Sequence, residues 1–96
     1  MIEIRETLVY ANWFARLRDP IAKRRIDIRL RRLSLGNPGD RKSVGEGILA
    51  LRLDHGPGYR IYYVQRGAIL IVLLAGGDKT SQHRDIQLAR ELAQNL

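Results

Sequence analysis

The sequence contains no cysteine, which excludes disulfide bonds, thiolate catalysis and cysteine-ligated zinc sites. It contains two histidines, His55 and His83, too few for a histidine-based metal site without carboxylates held nearby. The longest apolar run, residues 68–75, is far too short to cross a bilayer. The first residues also lack the basic and then apolar pattern of a secretory signal. We therefore expect a soluble, cytoplasmic protein that uses neither a metal nor a cofactor and does not bind a membrane.

Acidic residues are also few, and the excess of positive charge points to a class of partner. The 96 residues include 17 Lys+Arg against 10 Asp+Glu, which gives a formal net charge of +7. Fourteen of the cations are arginine, whose planar donor fork suits phosphate and carboxylate groups. A GC-rich genome would explain the arginine bias but not the net charge. The composition favours binding to a polyanion, above all nucleic acid, with an acidic protein as the alternative.

The apolar periodicity predicts one α+β domain over residues 1–96, in the order β-α-α-β-β-β-α. Strands are predicted at 2–5, 48–53, 59–66 and 68–76, and helices at 7–18, 20–35 and from Thr80 or Ser81 to 94. Residues 36–47 contain four glycines and are predicted to form a loop. Because short connections join the last three strands, we expect an antiparallel meander with helices packed on it.

The second predicted helix carries apolar residues on two sides. One stripe is expected to pack on the sheet and consists of Ala22, Ile26, Leu30 and Leu33. Three further apolar residues recur every seven positions on roughly the opposite side: Ile21, Ile28 and Leu35. Packing of this second stripe on the first helix is the favoured interpretation, and a partner outside the chain is the alternative.

Three cations are predicted to meet at one edge of the sheet. Arg52 lies near the end of a strand, Arg60 begins the next strand after a Gly-Pro-Gly turn, and Lys79 follows the last strand. Because neighbouring strands of a meander are antiparallel, these side chains should converge. Two arginines can stabilise negative charge in a transition state, and a lysine crowded by cations can exchange a proton. The alternative is that all three are solvated surface residues.

Polar residues near these cations are candidates for proton transfer. His55 lies on the turn beside Arg60, while Gln82 and His83 stand at the start of the last helix. A surface role remains the favoured interpretation of each histidine. The start of a helix also attracts an anion.

Several motifs taken together resemble the RelE/ParE superfamily of toxins and, more narrowly, the HigB-like addiction module killer proteins. The resemblance covers nearly the whole chain and is carried by W-F-x-x-L-R-D (13–19), G-N-P-G-D-R-K-S-V-G-E-G (36–47), L-R-L (51–53), G-P-G-Y-R-I-Y-Y (56–63) and L-L-A-G-G-D-K (73–79). It implies a RelE-like fold. It also implies an mRNA endonuclease that acts on the ribosome, uses the substrate's 2′-hydroxyl without metal, and stops translation.

The resemblance also implies roles for particular residues. Arg52, Arg60 and Lys79 match the family's catalytic positions, and Asp85 stands near the position of a family tyrosine that aids the 2′-hydroxyl attack. The candidates to substitute for it in catalysis are His55, Gln82 and His83. Four further residues are expected to bind RNA: Arg41, Lys42, Tyr59 and Gln82.

The resemblance further implies a cognate antitoxin, typically a helix-turn-helix protein of the HigA type, in addition to the ribosome and its message. We expect this antitoxin to bind at Ile21, Ile28 and Leu35. The alternative activity is that of the ParE branch, which poisons DNA gyrase and cuts no RNA. A binding module without catalysis is a third possibility, because fold does not decide function. The cluster of Arg52, Arg60 and Lys79 favours RNA cleavage.

Overall fold

A computed structural model describes all 96 residues as three helices and five strands. In chain order they are β1 (Glu3–Glu6), α1 (Leu8–Arg16), α2 (Pro20–Ser34), β2 (Arg41–Ser43), β3 (Leu49–Arg52), β4 (Arg60–Arg66), β5 (Leu70–Gly77) and α3 (Gln82–Gln94). The α+β class is thus confirmed, and every predicted helix and strand is present. None of the helices combines the length and the apolar character needed to cross a membrane.

The strands form one mixed sheet in the order β1-β5-β4-β3-β2. The pairs β2–β3, β3–β4 and β4–β5 are antiparallel, which confirms the meander, and β1 pairs in parallel with β5. The prediction of a loop over residues 36–47 is wrong in part, because β2 lies within it. This strand has three residues, Arg41–Ser43, too few to show an alternating pattern, and it forms by pairing with Leu49–Leu51.

Each of the first two helices is preceded by a residue whose side chain accepts hydrogen bonds from backbone amides in the first turn of the helix. The Thr7 hydroxyl accepts from the Tyr10 amide and donates to the Leu74 carbonyl, so it also ties α1 to β5. Asp19 accepts from the Ile21 and Ala22 amides, and Pro20 follows it at the first helical position.

The sheet has a buried cluster on each face. The cluster on the α1 and α2 side includes Tyr10, Ile26, Leu33, Leu51, Ile61 and Tyr63. The cluster on the α3 side includes Ile48, Ala50, Tyr62, Val64, Leu74 and Ala89. Strand β4 contributes residues to both clusters, because successive side chains of a strand point to opposite faces of the sheet. Strand β5 is buried on both faces from Ile71 to Ala75, in keeping with its nearly continuous apolar sequence.

Helix α2 packs on the sheet through the predicted stripe, but its second stripe is uncovered. Ile21, Ile28 and Leu35 are 55%, 45% and 63% exposed. The interpretation that this stripe packs on α1 is therefore wrong. Helix α1 packs along β5 instead, so the outer side of α2 faces solvent.

Candidate active site

The three predicted cations meet at one end of the sheet. Arg52 at the end of β3 lies directly opposite Arg60 at the start of β4. Arg60 in turn lies opposite Gly77, two residues before Lys79. Two adjoining cavities, of about 390 and 330 Å³, both have these three side chains in their walls. We call the surface formed by Arg52, Arg60 and Lys79 the cation cleft.

The two cavities differ in the rest of their walls. The hairpin cavity is the larger one and lies against the β3–β4 turn, where its walls add Asp40, Leu53, Asp54 and residues 56–58. The sheet cavity lies towards β2, where its walls add Lys42, Val44, Ala50 and Gln82. The cations therefore stand between a cavity that contains carboxylates and one that contains none.

Arg60 is the most constrained of the three cations, with only 9% of the residue exposed. Its Nη1 donates to the carbonyls of Gly58 and Tyr59, each at 3.2 Å, and its Nε donates to Gln82 Oε1 at 3.3 Å. Its remaining nitrogen, Nη2, donates to no protein group, while the side chain lines both cavities. Arg60 is thus a positively charged donor fixed in advance of ligand binding, the arrangement that stabilises developing negative charge most effectively.

Lys79 is exposed, and its ammonium has no ion-pair partner. Its aliphatic stem lies over Gly58, where an added Cβ would sit 3.2 Å from Lys79 Cγ. The neighbouring carboxylate of Asp78 is occupied by Thr80 and Ser81. The Thr80 hydroxyl, which donates to this carboxylate, lowers the pKa of Asp78. Asp78 is therefore satisfied locally and leaves the charge of Lys79 available to a ligand.

Arg52 has a partner that the sequence did not reveal. Its Nε and Nη2 both donate to Asp40 Oδ1, at 3.1 and 2.7 Å. Asp40 reaches this position because Arg29 holds the preceding chain, donating to the carbonyls of Pro38, Asp40 and Arg52 at 2.7–3.1 Å. Burial lowers the pKa of Arg29. No local pattern marks a pair separated by twelve residues.

Neither histidine is placed in the cation cleft. His55 Nε2 lies 2.9 Å from Asp19 Oδ2, because the β3–β4 turn carries the imidazole towards the start of α2. His83 is exposed on α3, its imidazole makes no hydrogen bond, and it lines neither cavity. The structure thus separates both histidines from the three cations, whereas Gln82 accepts a hydrogen bond from Arg60 and lines the sheet cavity.

The four expected RNA-binding residues divide into two pairs. Lys42 and Gln82 line the sheet cavity, beside the cations. Arg41 precedes Lys42 on β2, is exposed, and lines neither cavity. The ring of Tyr59 packs near that of Trp13, with centroids 6.2 Å apart, on the α1 side of the sheet. Tyr59 contributes to the site through its carbonyl, which holds Arg60.

Asp85, near the position where the resemblance implies a tyrosine, is a buried structural residue. It is 7% exposed and accepts a hydrogen bond from the Ser81 hydroxyl. Tyr62 lies beneath the sheet cavity, next to Ala50, and its buried hydroxyl has no hydrogen-bond partner. Burial, aided by the nearby charge of Asp85, raises the pKa of Tyr62 to about 12. Neither group lines the cavities.

The titratable residues do not form an obvious metal site. No three histidine, cysteine, aspartate or glutamate side chains stand close enough together to hold an ion. The chemistry that the cleft can support with its own residues is electrostatic stabilisation of a phosphate group and proton transfer through Lys79 or a wall carboxylate.

Comparison with known proteins identifies a relative in Haemophilus influenzae. The two sequences are 46% identical over 95 residues, and the alignment covers 99% of this chain and 96% of the other. That protein is described as uncharacterized. No family model matches the chain, and no solved structure matches it.

Proposed function

This chain belongs to one family with the Haemophilus influenzae protein, and from that premise we propose that it is a metal-independent endoribonuclease toxin of the RelE/ParE superfamily. Its substrate would be mRNA on the ribosome in the cytoplasm, and its effect would be to stop translation. The observation that carries the proposal is the cation cleft, in which the buried Arg60 is fixed between Arg52 and Lys79. Three cations around one opening favour a phosphate ligand.

The arrangement of the fold supports the same proposal. A mixed sheet with two amino-terminal helices on one face and a carboxy-terminal helix on the other is compatible with a RelE-like topology. In that topology the end of the meander brings basic residues from three chain segments together.

The proposed reaction uses the 2′-hydroxyl of the substrate as the nucleophile. The 2′-oxygen loses its proton and attacks the adjacent phosphorus, the bond from phosphorus to the 5′-oxygen breaks, and that oxygen takes up a proton. The products are a 2′,3′-cyclic phosphate and a 5′-hydroxyl end. Arg52 and Arg60 stabilise the extra negative charge of the pentavalent transition state, and the Lys79 ammonium supplies the proton to the leaving oxygen.

The base that removes the 2′-hydroxyl proton is assigned by elimination among the residues of the walls. The histidines do not line the cleft, and Asp40 is engaged by Arg52. Asp54 is exposed in the wall of the hairpin cavity and makes no hydrogen bond or ion pair. We assign the role of base to Asp54 within this proposal.

A neutralising partner forms the second half of the proposal. The exposed stripe of Ile21, Ile28 and Leu35 is flanked by two arginine pairs, at residues 24–25 and 31–32. An apolar ridge between cations fits a helix with apolar residues along one side and carboxylates beside them. We propose that the cognate antitoxin, a helix-turn-helix protein of the HigA type, supplies such a segment.

The test is to induce the protein alone and map the 5′ ends of cellular transcripts. We expect growth arrest with new cleavage sites, each leaving a cyclic phosphate. Arg60→Ala should reduce cleavage by about 100-fold or more, and Lys79→Ala should relieve toxicity as well. Arg66→Ala is the matched control, because Arg66 is an exposed arginine at the opposite end of the same strand. Circular dichroism should show that all three variants remain folded.

Two outcomes would reject the nuclease proposal. If replication and the SOS response were disturbed first while mRNA stayed intact, the ParE-like inhibition of gyrase would explain the toxicity instead. If folded Arg60→Ala and Lys79→Ala variants remained as toxic as the wild type, the cation cleft would not be the active site.

A further inference from the structure

A third cavity, of about 260 Å³, lies between α2 and the β3–β4 turn. Its walls are formed by Arg25, Ile28, Arg29, Arg32, Leu53, Asp54 and His55. Leu53 and Asp54 also belong to the wall of the hairpin cavity, so the two cavities adjoin across these residues. We call this third one the α2 cavity. The sheet, hairpin and α2 cavities together form a continuous series around one end of the molecule.

We infer that the α2 cavity is a second sugar–phosphate binding subsite, which holds the RNA backbone where it leaves the cation cleft. The inference rests on the proposed function, because it extends the path of the same substrate. It assigns a binding role to Arg25 and Arg32, which lie outside the cleft and take no part in the proposed reaction.

The free cations of the α2 cavity support a phosphate ligand. Arg25 and Arg32 are two turns apart on α2, both are exposed, and neither makes a hydrogen bond or ion pair with its side chain. Arg29 lies between them and donates hydrogen bonds to three backbone carbonyls, so its side chain is held in place in the wall of the cavity. Two guanidinium groups on a rigid helix are therefore available to adjacent anionic groups.

The position of the cavity favours RNA over an acidic protein segment as its ligand. A strand bound in the hairpin cavity has to leave it, and Arg25 and Arg32 line the cavity on the other side of Leu53 and Asp54. His55, held by Asp19, closes the cavity on the side of the turn. Of the exposed stripe of α2, only Ile28 lies in the wall of this cavity, so the cavity extends away from the stripe and towards the β3–β4 turn.

The experiment measures binding of 2′-O-methyl RNA, which lacks the attacking hydroxyl, at two lengths. A dinucleotide can fill the cleft alone, whereas an oligonucleotide of about ten nucleotides can also reach α2. We expect the wild type to bind the longer RNA more tightly. The double variant Arg25→Ala/Arg32→Ala should lose about tenfold in affinity for the longer RNA, and the slope of log affinity against log salt should fall in magnitude by about 1.4. Dinucleotide binding should not change.

The matched control is Arg24→Ala/Arg31→Ala, which removes the same charge from the same helix at exposed positions outside the cavity. An equal loss of affinity in both double variants would show unspecific attraction and overturn the inference. The inference would also be overturned if the wild type bound the longer RNA no more tightly than the dinucleotide. Loss of antitoxin binding with unchanged RNA binding in Arg25→Ala/Arg32→Ala would assign the cavity to the protein partner.

Failure of the proposed function gives a different result. In that case the dinucleotide itself would bind no more tightly to the wild type than to Arg60→Ala. If the dinucleotide binds in an Arg60-dependent way and only the effect of length is missing, the cleft stands and the α2 subsite is rejected.

Discussion

The two faces of the sheet are covered to different extents, and this difference determines where a ligand can bind. On one face, α1 and α2 bury a cluster that contains large aromatic residues such as Tyr10 and Tyr63. On the other, α3 packs over β4 and β5 and leaves the outer end of β3 beside open cavities. Residues at the end of the same strands therefore serve the core on one face and the cation cleft on the other.

Two adjacent glycines at the end of β5 provide the strongest test of this comparison, because each one faces a different side. A Cβ at Gly76 would lie 2.2 Å from the Trp13 ring, and a Cβ at Gly77 would lie 1.8 Å from Asp85 Oδ2. We expect Gly76→Ala and Gly77→Ala each to lower the free energy of unfolding by about 3 kcal/mol, as overpacking does. Urea denaturation measures this loss.

The two substitutions should differ in their effect on the proposed RNA cleavage. Gly77→Ala pushes on the first turn of α3, next to Lys79 and Gln82, so the folded fraction should also lose activity. Gly76→Ala pushes on α1, so its folded fraction should cleave normally. Replacing Trp13 by leucine should partly restore the stability of Gly76→Ala. Equal activity in both folded variants would show that the two faces are not functionally distinct.

The inner and outer sides of α2 allow a second test. Ile26 is fully buried, whereas Ile28, two residues later, is 45% exposed. Ile26→Ala should cost about 3 kcal/mol of folding stability, and Ile28→Ala should stay within about 0.5 kcal/mol of the wild type. Ile28→Glu should weaken binding of the proposed antitoxin by about 2 kcal/mol, roughly 30-fold, in a titration calorimeter. Unfolding of Ile28→Glu instead would contradict a free outer surface.

The sequence predicted most of the fold because its elements are encoded locally. In β4, for example, the alternation of a strand is enough to put Tyr62 and Val64 on one face and Ile61 and Tyr63 on the other, as the structure has them. Strand β2 was missed because it depends on pairing with β3 rather than on a pattern of its own. The outer stripe of α2 was misjudged because periodicity shows which residues share a side of a helix, not what covers that side.

The candidate site was predictable only as far as strand register could be inferred. Arg52, Arg60 and Lys79 were brought together by the antiparallel meander, which the short connections indicated. Asp40 and His55 depend on loop conformation, which residues distant in the sequence determine. Arg29 positions Asp40, and Asp19 positions His55.

The hydrogen bond between Asp19 and His55 joins the covering helix α2 to the turn that borders the cleft. Its removal is expected to have the smallest effect on stability of the changes described. The hydrogen bond from His55, followed by the amides of the helix, lowers the pKa of Asp19 below its ordinary 3.8. A carboxyl group with a lower pKa in the folded state stabilises the protein above its ordinary pKa. This contribution is lost as the pH falls through the lower, folded value.

Asp19→Asn should therefore change the acid dependence of stability. Asparagine still accepts the amide hydrogen bonds of α2 but does not titrate. Below about pH 5 the unfolding free energy should therefore change less steeply with pH, by an amount that corresponds to the uptake of at most about one proton. Urea denaturation from neutral to acidic pH measures the slope. Asp27→Asn is the control, because Asp27 is an exposed aspartate on the same helix without an ion pair. If both variants kept the wild-type slope, the bond from His55 would not stabilise the charged form of Asp19 in the folded protein.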